Sequence, residues 1–146
     1  MPPFRFRLQQ VLDYREQLEE QAKLAFARAK TAHEAQQRQV EAVRAAIAEA
    51  ERKLYEDARL SRDELWLQRN FLRGLREDLT HAELRLRMLA QMMEQARSEL
   101  VKKSQERKLL EKLKDKQAAR HAHDELLREQ RTYDETATLR FEPPSF

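Results

Sequence analysis

The sequence contains no cysteine, a single glycine at Gly74, and no proline between Pro3 and Pro143. The lack of cysteine excludes disulfide bonds and thiolate chemistry, and it suits a reducing compartment. A single glycine excludes the glycine-rich loops that bind phosphates or dinucleotides. No apolar run approaches the roughly 18 residues of a membrane-spanning helix, and the N-terminus lacks the apolar stretch of a secretory signal. We therefore expect a protein without disulfides, a nucleotide loop or membrane insertion.

The residues that are abundant favour long helices. Charged residues make up 38% of the chain, and Ala, Leu, Glu, Lys, Arg and Gln dominate the proline-free stretch. These side chains lose little freedom in a helix, and such a composition with helical periodicity is typical of coiled coils. Disorder is the alternative for a highly charged chain, but the 29 basic and 26 acidic residues nearly balance and the apolar spacing is regular. The small net charge of +3 also disfavours a nucleic-acid partner.

The second half of the chain has the clearer apolar repeat. Nine positions at alternating spacings of three and four are all apolar, which predicts a coiled-coil seam of four heptads. They are Leu72, Leu75, Leu79, Ala82, Leu86, Leu89, Met93, Ala96 and Leu100. The repeat extends back to Leu65, turns polar beyond Leu100, and is predicted to resume in a shifted phase. The shifted positions are Leu110, Leu113, Gln117, Arg120, Asp124 and Leu127.

The first half has a weaker repeat of smaller side chains. It is predicted to use Leu8, Val11, Arg15, Leu18, Ala22, Ala25, Ala29 and Ala32, and then, after a shift, Val43, Ile47, Ala50 and Leu54. Alanine lets a second helix approach closely. The large Leu and Met side chains of the second half are its natural complement, so the two halves are expected to pack together.

A helix start is predicted close to the middle of the chain. Ser61 and Glu64 have the Ser-x-x-Glu spacing of a capping box. We expect an all-α fold: a two-helix antiparallel coiled-coil hairpin with a longer second helix. The predicted bounds are helix 1 at about 4–58, a turn at about 58–61 and helix 2 at about 62–138. Residues 1–140 would form one coiled-coil domain and 141–146 a flexible tail, and residues after about 117 would extend beyond helix 1. One uninterrupted helix is the alternative.

No catalytic motif, metal site or cofactor site is predicted, and we expect a protein that is not an enzyme. His121 and His123 would point about 200° apart on a helix, so they cannot share an ion. The basic stretch from Lys102 to Lys116 is either a solvated face or a docking surface for a protein. Trp66 and Phe71 follow the turn, where aromatic side chains either bind a partner or cap the core.

The segments Phe4–Leu8, Val11–Glu16, Leu109–Lys116 and the C-terminal Glu129–Glu135 together resemble the FliJ family of the bacterial flagellar type III export apparatus. The resemblance covers about residues 4–140. It implies an antiparallel coiled coil similar to the central stalk of rotary ATPases. It also implies a monomer in isolation that binds three partners: the hexameric export ATPase, the cytoplasmic domain of the export gate, and export chaperones. The implied location is the cytoplasm, peripheral to the inner membrane at the flagellar base.

The resemblance also implies two binding sites. The ATPase-binding residues would be Arg5, Leu8, Leu12, Arg15, Glu129, Gln130, Asp134 and Glu135. The gate-binding residues would lie at helical spacing from a phenylalanine, at Phe71, Leu75, Asp78 and Ala82. Asp78 departs from the small apolar residue that the family pattern has at this position.

Three other functions remain open from the sequence. The first is a structural coiled coil that homodimerises through the Leu65–Leu100 seam, which the oligomeric state would distinguish. The second is a stalk or chaperone of a virulence-type secretion system, which partner binding would distinguish. The third is a nucleic-acid binder, whose affinity would fall steeply with salt.

Overall fold

The computed structural model describes residues 2–57 and 59–141, and over these residues it contains two α-helices and no strand. Helix α1 spans Gln9–Glu56 and helix α2 spans Arg62–Arg140. The two helices pack against each other, which confirms the predicted all-α hairpin with a longer second helix. Of the predicted flexible tail, 141–146, only Phe141 lies within the described residues.

The chain before α1 is not helical. Helix α1 begins at Gln9, later than the predicted start near residue 4, because the preceding segment packs through its aromatic side chains and not as a further turn of the helix. The amide of Gln9 donates to the carbonyl of Phe6 at 3.1 Å as the helix starts. Phe6 is buried, and the Phe4 ring lies 5.7 Å from the His121 ring, centroid to centroid. This aromatic segment therefore packs on α2.

The predicted capping box is confirmed at the start of α2. The Glu64 amide donates to Ser61 Oγ, and the Ser61 amide donates to Glu64 Oε2, both at 3.2 Å. These bonds satisfy backbone donors that have no partner inside the helix. Asp57 Oδ1 accepts from the Arg59 amide at 3.1 Å beyond the end of α1. The alternative of one uninterrupted helix is wrong.

The contacts divide the chain into two compact units, each of which contains both helices. We call the described residues of Met1–Glu19 and Lys103–Phe146 the end unit, and those of Glu20–Lys102 the turn unit. In the end unit Phe4 contacts His121 and Arg15 contacts Glu106. In the turn unit Glu51 contacts Arg76, and Gln36 contacts Ala82. Earlier residues thus pair with later ones, so the helices run antiparallel within each unit.

The predicted seam of α2 is confirmed. Leu72 is buried, and each of the other eight seam positions from Leu75 to Leu100 is half-buried. In a two-helix structure each helix is covered on one side only, so few side chains are completely buried. The seam that a homodimer would use is therefore occupied within the chain by α1.

Over the first part of α1 the predicted seam is correct at Arg15, Leu18, Ala22 and Ala29 and wrong at Leu8, Val11, Ala25 and Ala32. Leu12 is only 2% exposed whereas Val11 is 40% exposed, and Ala25 and Ala32 lie on the exposed face. The inward positions follow the three–four spacing without any shift. They are Leu12, Arg15, Glu19, Ala22, Phe26, Ala29, His33, Gln36, Val40, Val43, Ile47, Ala50 and Leu54. The three–four spacing is unbroken along α1 because polar side chains occupy several of its inward positions.

The phase shift predicted for α2 after Leu110 is also wrong. The less exposed positions there are Lys114, Ala118, His121 and Glu125, while Leu113 and Leu127 are exposed. The N-terminal aromatic segment contacts this part of α2 through Phe4. The helix therefore turns the His121 imidazole towards that segment and leaves two leucines exposed.

Candidate functional site

The end unit is held together by an ion network across the seam. Glu19, which is 6% exposed, accepts a hydrogen bond from Arg107 Nε at 2.7 Å, and Arg107 Nη1 donates to Glu111 at 2.7 Å. The hydrogen bond to Glu19, followed by the one to Glu111, raises the pKa of Arg107 above its ordinary value. Arg107 therefore keeps its charge at any pH at which the protein is studied.

Two of the predicted ATPase-binding residues belong to this internal packing. Leu12 is buried, and Arg15 donates to Glu106 at 2.7 Å. Glu106 also lies 3.7 Å from the ammonium of Lys103. Arg5 and Leu8, which come earlier in the chain, are exposed. Leu12 and Arg15 thus support the surface that Arg5 and Leu8 present.

The C-terminal members of the predicted ATPase set all lie on the exposed part of α2. Glu129 and Gln130 help to line a shallow groove of about 350 Å³, whose other walls are His123, Leu126, Leu127 and Tyr133. Asp134 and Glu135 follow on the next turn and are exposed. These four polar residues lie 8–14 residues beyond His121, or about 12–21 Å along the helix axis. Among the described residues no hydrogen bond or ion pair joins them to the N-terminal members.

The predicted gate-binding residues of the turn unit divide into two kinds. Phe71, 58% exposed, and Asp78 are open to solvent. Leu75 and Ala82 are half-buried seam positions, and the Ala82 carbonyl accepts a hydrogen bond from Gln36 Nε2 at 3.0 Å. Of the four predicted residues, Phe71 and Asp78 are therefore accessible to a partner, whereas Leu75 and Ala82 lie on the face of α2 that packs against α1.

Phe71 lines one side of an open groove between α1 and α2. The groove has a volume of about 430 Å³, and the other residues around it are Ala46, Glu49, Ala50, Lys53 and Gln68. Arg52 bridges Glu49 and Glu56 at 2.6 and 2.9 Å, and its hydrogen bond lowers the pKa of the Glu49 carboxyl. Small alanines beside an aromatic ring leave room for an apolar side chain of a partner.

Other aromatic and apolar side chains of the turn unit are also exposed. Tyr55, Trp66 and Leu67 each present more than half of their surface to solvent. The sequence singled out Trp66 and Phe71 as possible partner-binding aromatics, and both are exposed rather than buried under the turn. Aromatic residues that remain exposed in this way are frequent anchors in protein–protein interfaces.

One exposed stripe was missed by the sequence analysis. Leu84, Met88 and Met92 lie at successive turns on the outer face of α2 and are 55–58% exposed. Their spacing of four residues was visible in the sequence. The stripe was not predicted because the stronger apolar repeat from Leu72 to Leu100 occupies the same part of the sequence.

Two simple patterns are absent from the described residues, a metal-ligand cluster and a membrane-spanning helix. None of them forms a cluster of three or more His, Asp or Glu side chains that could hold a metal ion. Within the same residues, neither helix has an apolar stretch long enough to cross a bilayer.

Comparison with known proteins gives one family. The family model described as "Flagellar FliJ protein" matches residues 4–143, which is nearly the whole chain. No curated protein and no solved structure matches the chain significantly.

Proposed function

The chain belongs to the FliJ family of flagellar proteins, and we propose that it is a non-enzymatic stalk of the flagellar export apparatus that links the export ATPase to the membrane export gate. The observation that best supports this proposal is the antiparallel pairing of the two helices in the end unit. It joins the N-terminal segment and the last part of α2 in one compact unit. A ring-shaped ATPase could therefore receive both ends of the chain together.

The ATPase-binding surface that we propose lies on the end unit. Its exposed residues are Arg5, Leu8, Glu129, Gln130, Asp134 and Glu135, supported from within by Leu12 and Arg15. It combines both signs of charge with the apolar groove beside Tyr133. Charged groups set orientation and specificity, and buried apolar groups supply affinity.

The gate-binding surface that we propose lies on the turn unit. Phe71 is its exposed anchor, and the groove beside Ala46 and Ala50 can accept a side chain from the gate. Asp78 gives it a charge that the family pattern lacks. Export chaperones are further proposed partners, and the proposed location is the cytoplasmic side of the inner membrane at the flagellar base.

The first test is ATP hydrolysis by the cognate flagellar export ATPase with and without this protein, together with the hexamer fraction. We expect both to rise. A variant in which Glu129, Gln130, Asp134 and Glu135 are all alanine should stimulate much less and stay helical, because these side chains are exposed. The matched control replaces the exposed acids Glu34 and Glu41 of the turn unit. Equal stimulation by both variants would contradict the proposed surface.

The gate contact is tested by binding of the purified cytoplasmic gate domain. Phe71→Ala should weaken binding while the melting temperature hardly changes, since more than half of the ring is already in solvent. Tyr14→Ala in the end unit is the control for a general loss of exposed aromatic surface, because Tyr14 is as exposed as Phe71, and it should bind the gate domain as the wild type does. If Phe71→Ala melts the protein as a core substitution would, Phe71 is structural and the gate assignment is wrong.

A further inference from the structure

The outer face of α2 in the turn unit carries the isolated apolar stripe of Leu84, Met88 and Met92. Leu84 follows Ala82 by two residues and therefore points about 200° away from it, so the stripe faces away from α1. It begins six residues, or about 9 Å along the helix axis, beyond Asp78. Polar residues bound it at both ends, with His81 before it and Gln95 after it, both exposed. The stripe is thus about 12 Å long, or a little over two helical turns.

The charge beside this stripe is positive. Arg85 and Arg87 are exposed and lie on opposite sides of it, three residues and one residue before Met88. In the part of the chain that the structure describes, neither guanidinium forms an ion pair. The nearby acids are engaged, because Glu83 pairs with Arg44 at 3.0 Å and Glu94 lies 3.8 Å from Arg97. The uncompensated charge at the stripe is therefore that of two arginines.

We propose that Leu84, Met88 and Met92, with Arg85 and Arg87, form a docking surface for one amphipathic helix of another protein whose apolar face is flanked by carboxylates. An apolar stripe at i, i+4 and i+8 matches the anchor spacing of a helix laid against it. The flanking arginines select acidic flanks, because a helix with basic flanks would place like charges together. Methionine is flexible and polarisable, so this surface adapts to the shape of its partner.

The test uses the full chain and two synthetic helical peptides of equal length. Both peptides carry leucine at heptad a and d positions, one with glutamate and the other with lysine at the flanking positions. We expect the glutamate peptide to bind at least about tenfold more tightly at low salt. The variant Leu84→Gln/Met88→Gln/Met92→Gln should lose about tenfold or more of this affinity. Arg85→Glu/Arg87→Glu should prefer the lysine peptide instead.

The controls separate docking from folding and from self-association. Leu24→Gln removes an equally exposed leucine of α1 and should bind the peptide as the wild type does. Circular dichroism and thermal melting should be unchanged in every variant. Equal binding of both peptides, or unchanged binding by the triple variant, overturns the proposal. So does a wild-type dimer that the triple variant converts to monomer, because the occupant would then be a second copy.

A cellular measurement asks whether the surface is used. In the flagellated host, the triple variant should complement a deletion less well than the Leu24→Gln control at equal protein level. Full motility with the triple variant overturns the proposal. Neither measurement depends on ATPase stimulation or on Phe71. A negative result in them therefore contradicts the docking surface but not the proposed stalk function, and a negative result in the ATPase or gate assays contradicts the stalk function but not the docking surface.

Discussion

Replacing Glu19 by alanine tests whether the ion network of the end unit stabilises the pairing of the two helices. The Glu19 side chain is 8% exposed, and it meets Arg107, whose side chain is 21% exposed, at 2.7 Å. An exposed pair contributes less than about 1 kcal/mol, whereas breaking a fully buried pair costs about 3–5 kcal/mol. Arg107 keeps Glu111 as a partner. We therefore expect Glu19→Ala to lower the free energy of unfolding by about 2 kcal/mol.

The assay is urea unfolding followed by circular dichroism, on a double-mutant cycle of Glu19→Ala and Arg107→Ala. The coupling energy should be about 2 kcal/mol, and the melting temperature of Glu19→Ala should fall by about 4–8 °C. The control is Glu20→Ala, because Glu20 is exposed and its ion pair with Lys23 is 3.5 Å long. This control should cost under about 0.5 kcal/mol. A coupling energy no larger than the cost of the control would refute the reasoning.

Four further substitutions test the start of α2, its glycine and its seam. Ser61→Ala should lower the free energy of unfolding by about 1 kcal/mol in urea titrations, because the Glu64 amide loses its capping acceptor. Gly74→Ala should raise the melting temperature by about 1–4 °C, because the added methyl group would meet no atom within 4 Å outside its chain neighbours and the nearby helix backbone, and alanine favours the helix. A lower melting temperature would contradict this. Leu72→Ala should cost about 2–4 kcal/mol, and exposed Leu67→Ala under about 1 kcal/mol, so equal costs would contradict the seam.

The seam of α2 could be predicted from the sequence residue by residue. Its positions are apolar without exception from Leu72 to Leu100, and only one phase of the helix gives that result. The capping box at Ser61 likewise located the helix start, because its two hydrogen bonds are local and need no knowledge of the partner helix.

The seam of α1 could not be predicted in the same way. Several of its inward positions are polar, including Glu19, His33 and Gln36. A prediction that looks only for apolar residues therefore selects neighbouring apolar residues that lie on the exposed face of α1. The reason these residues are tolerated lies on the other helix. Arg107 compensates Glu19, and the Ala82 carbonyl accepts a hydrogen bond from Gln36. Such long-range partners are not encoded in local spacing.

The candidate binding surfaces were predicted only in part. The sequence and its family resemblance indicated the exposed Phe71, but Leu12 and Arg15 belong to the internal packing and Leu84, Met88 and Met92 were missed. Exposure of an apolar residue depends on which face of its helix the partner covers. That face is known only once the phase of both seams is known.

The buried ion pair between Glu19 and Arg107 also opposes sliding of the two helices of the end unit past each other. A purely apolar seam tolerates axial displacement by one heptad, because each leucine meets another apolar side chain in the new position. In the end unit the same displacement would separate the Glu19 carboxylate from the Arg107 guanidinium. Leaving a buried charge without its partner is costly. A single charged pair therefore fixes the axial register of α1 against α2 in this unit.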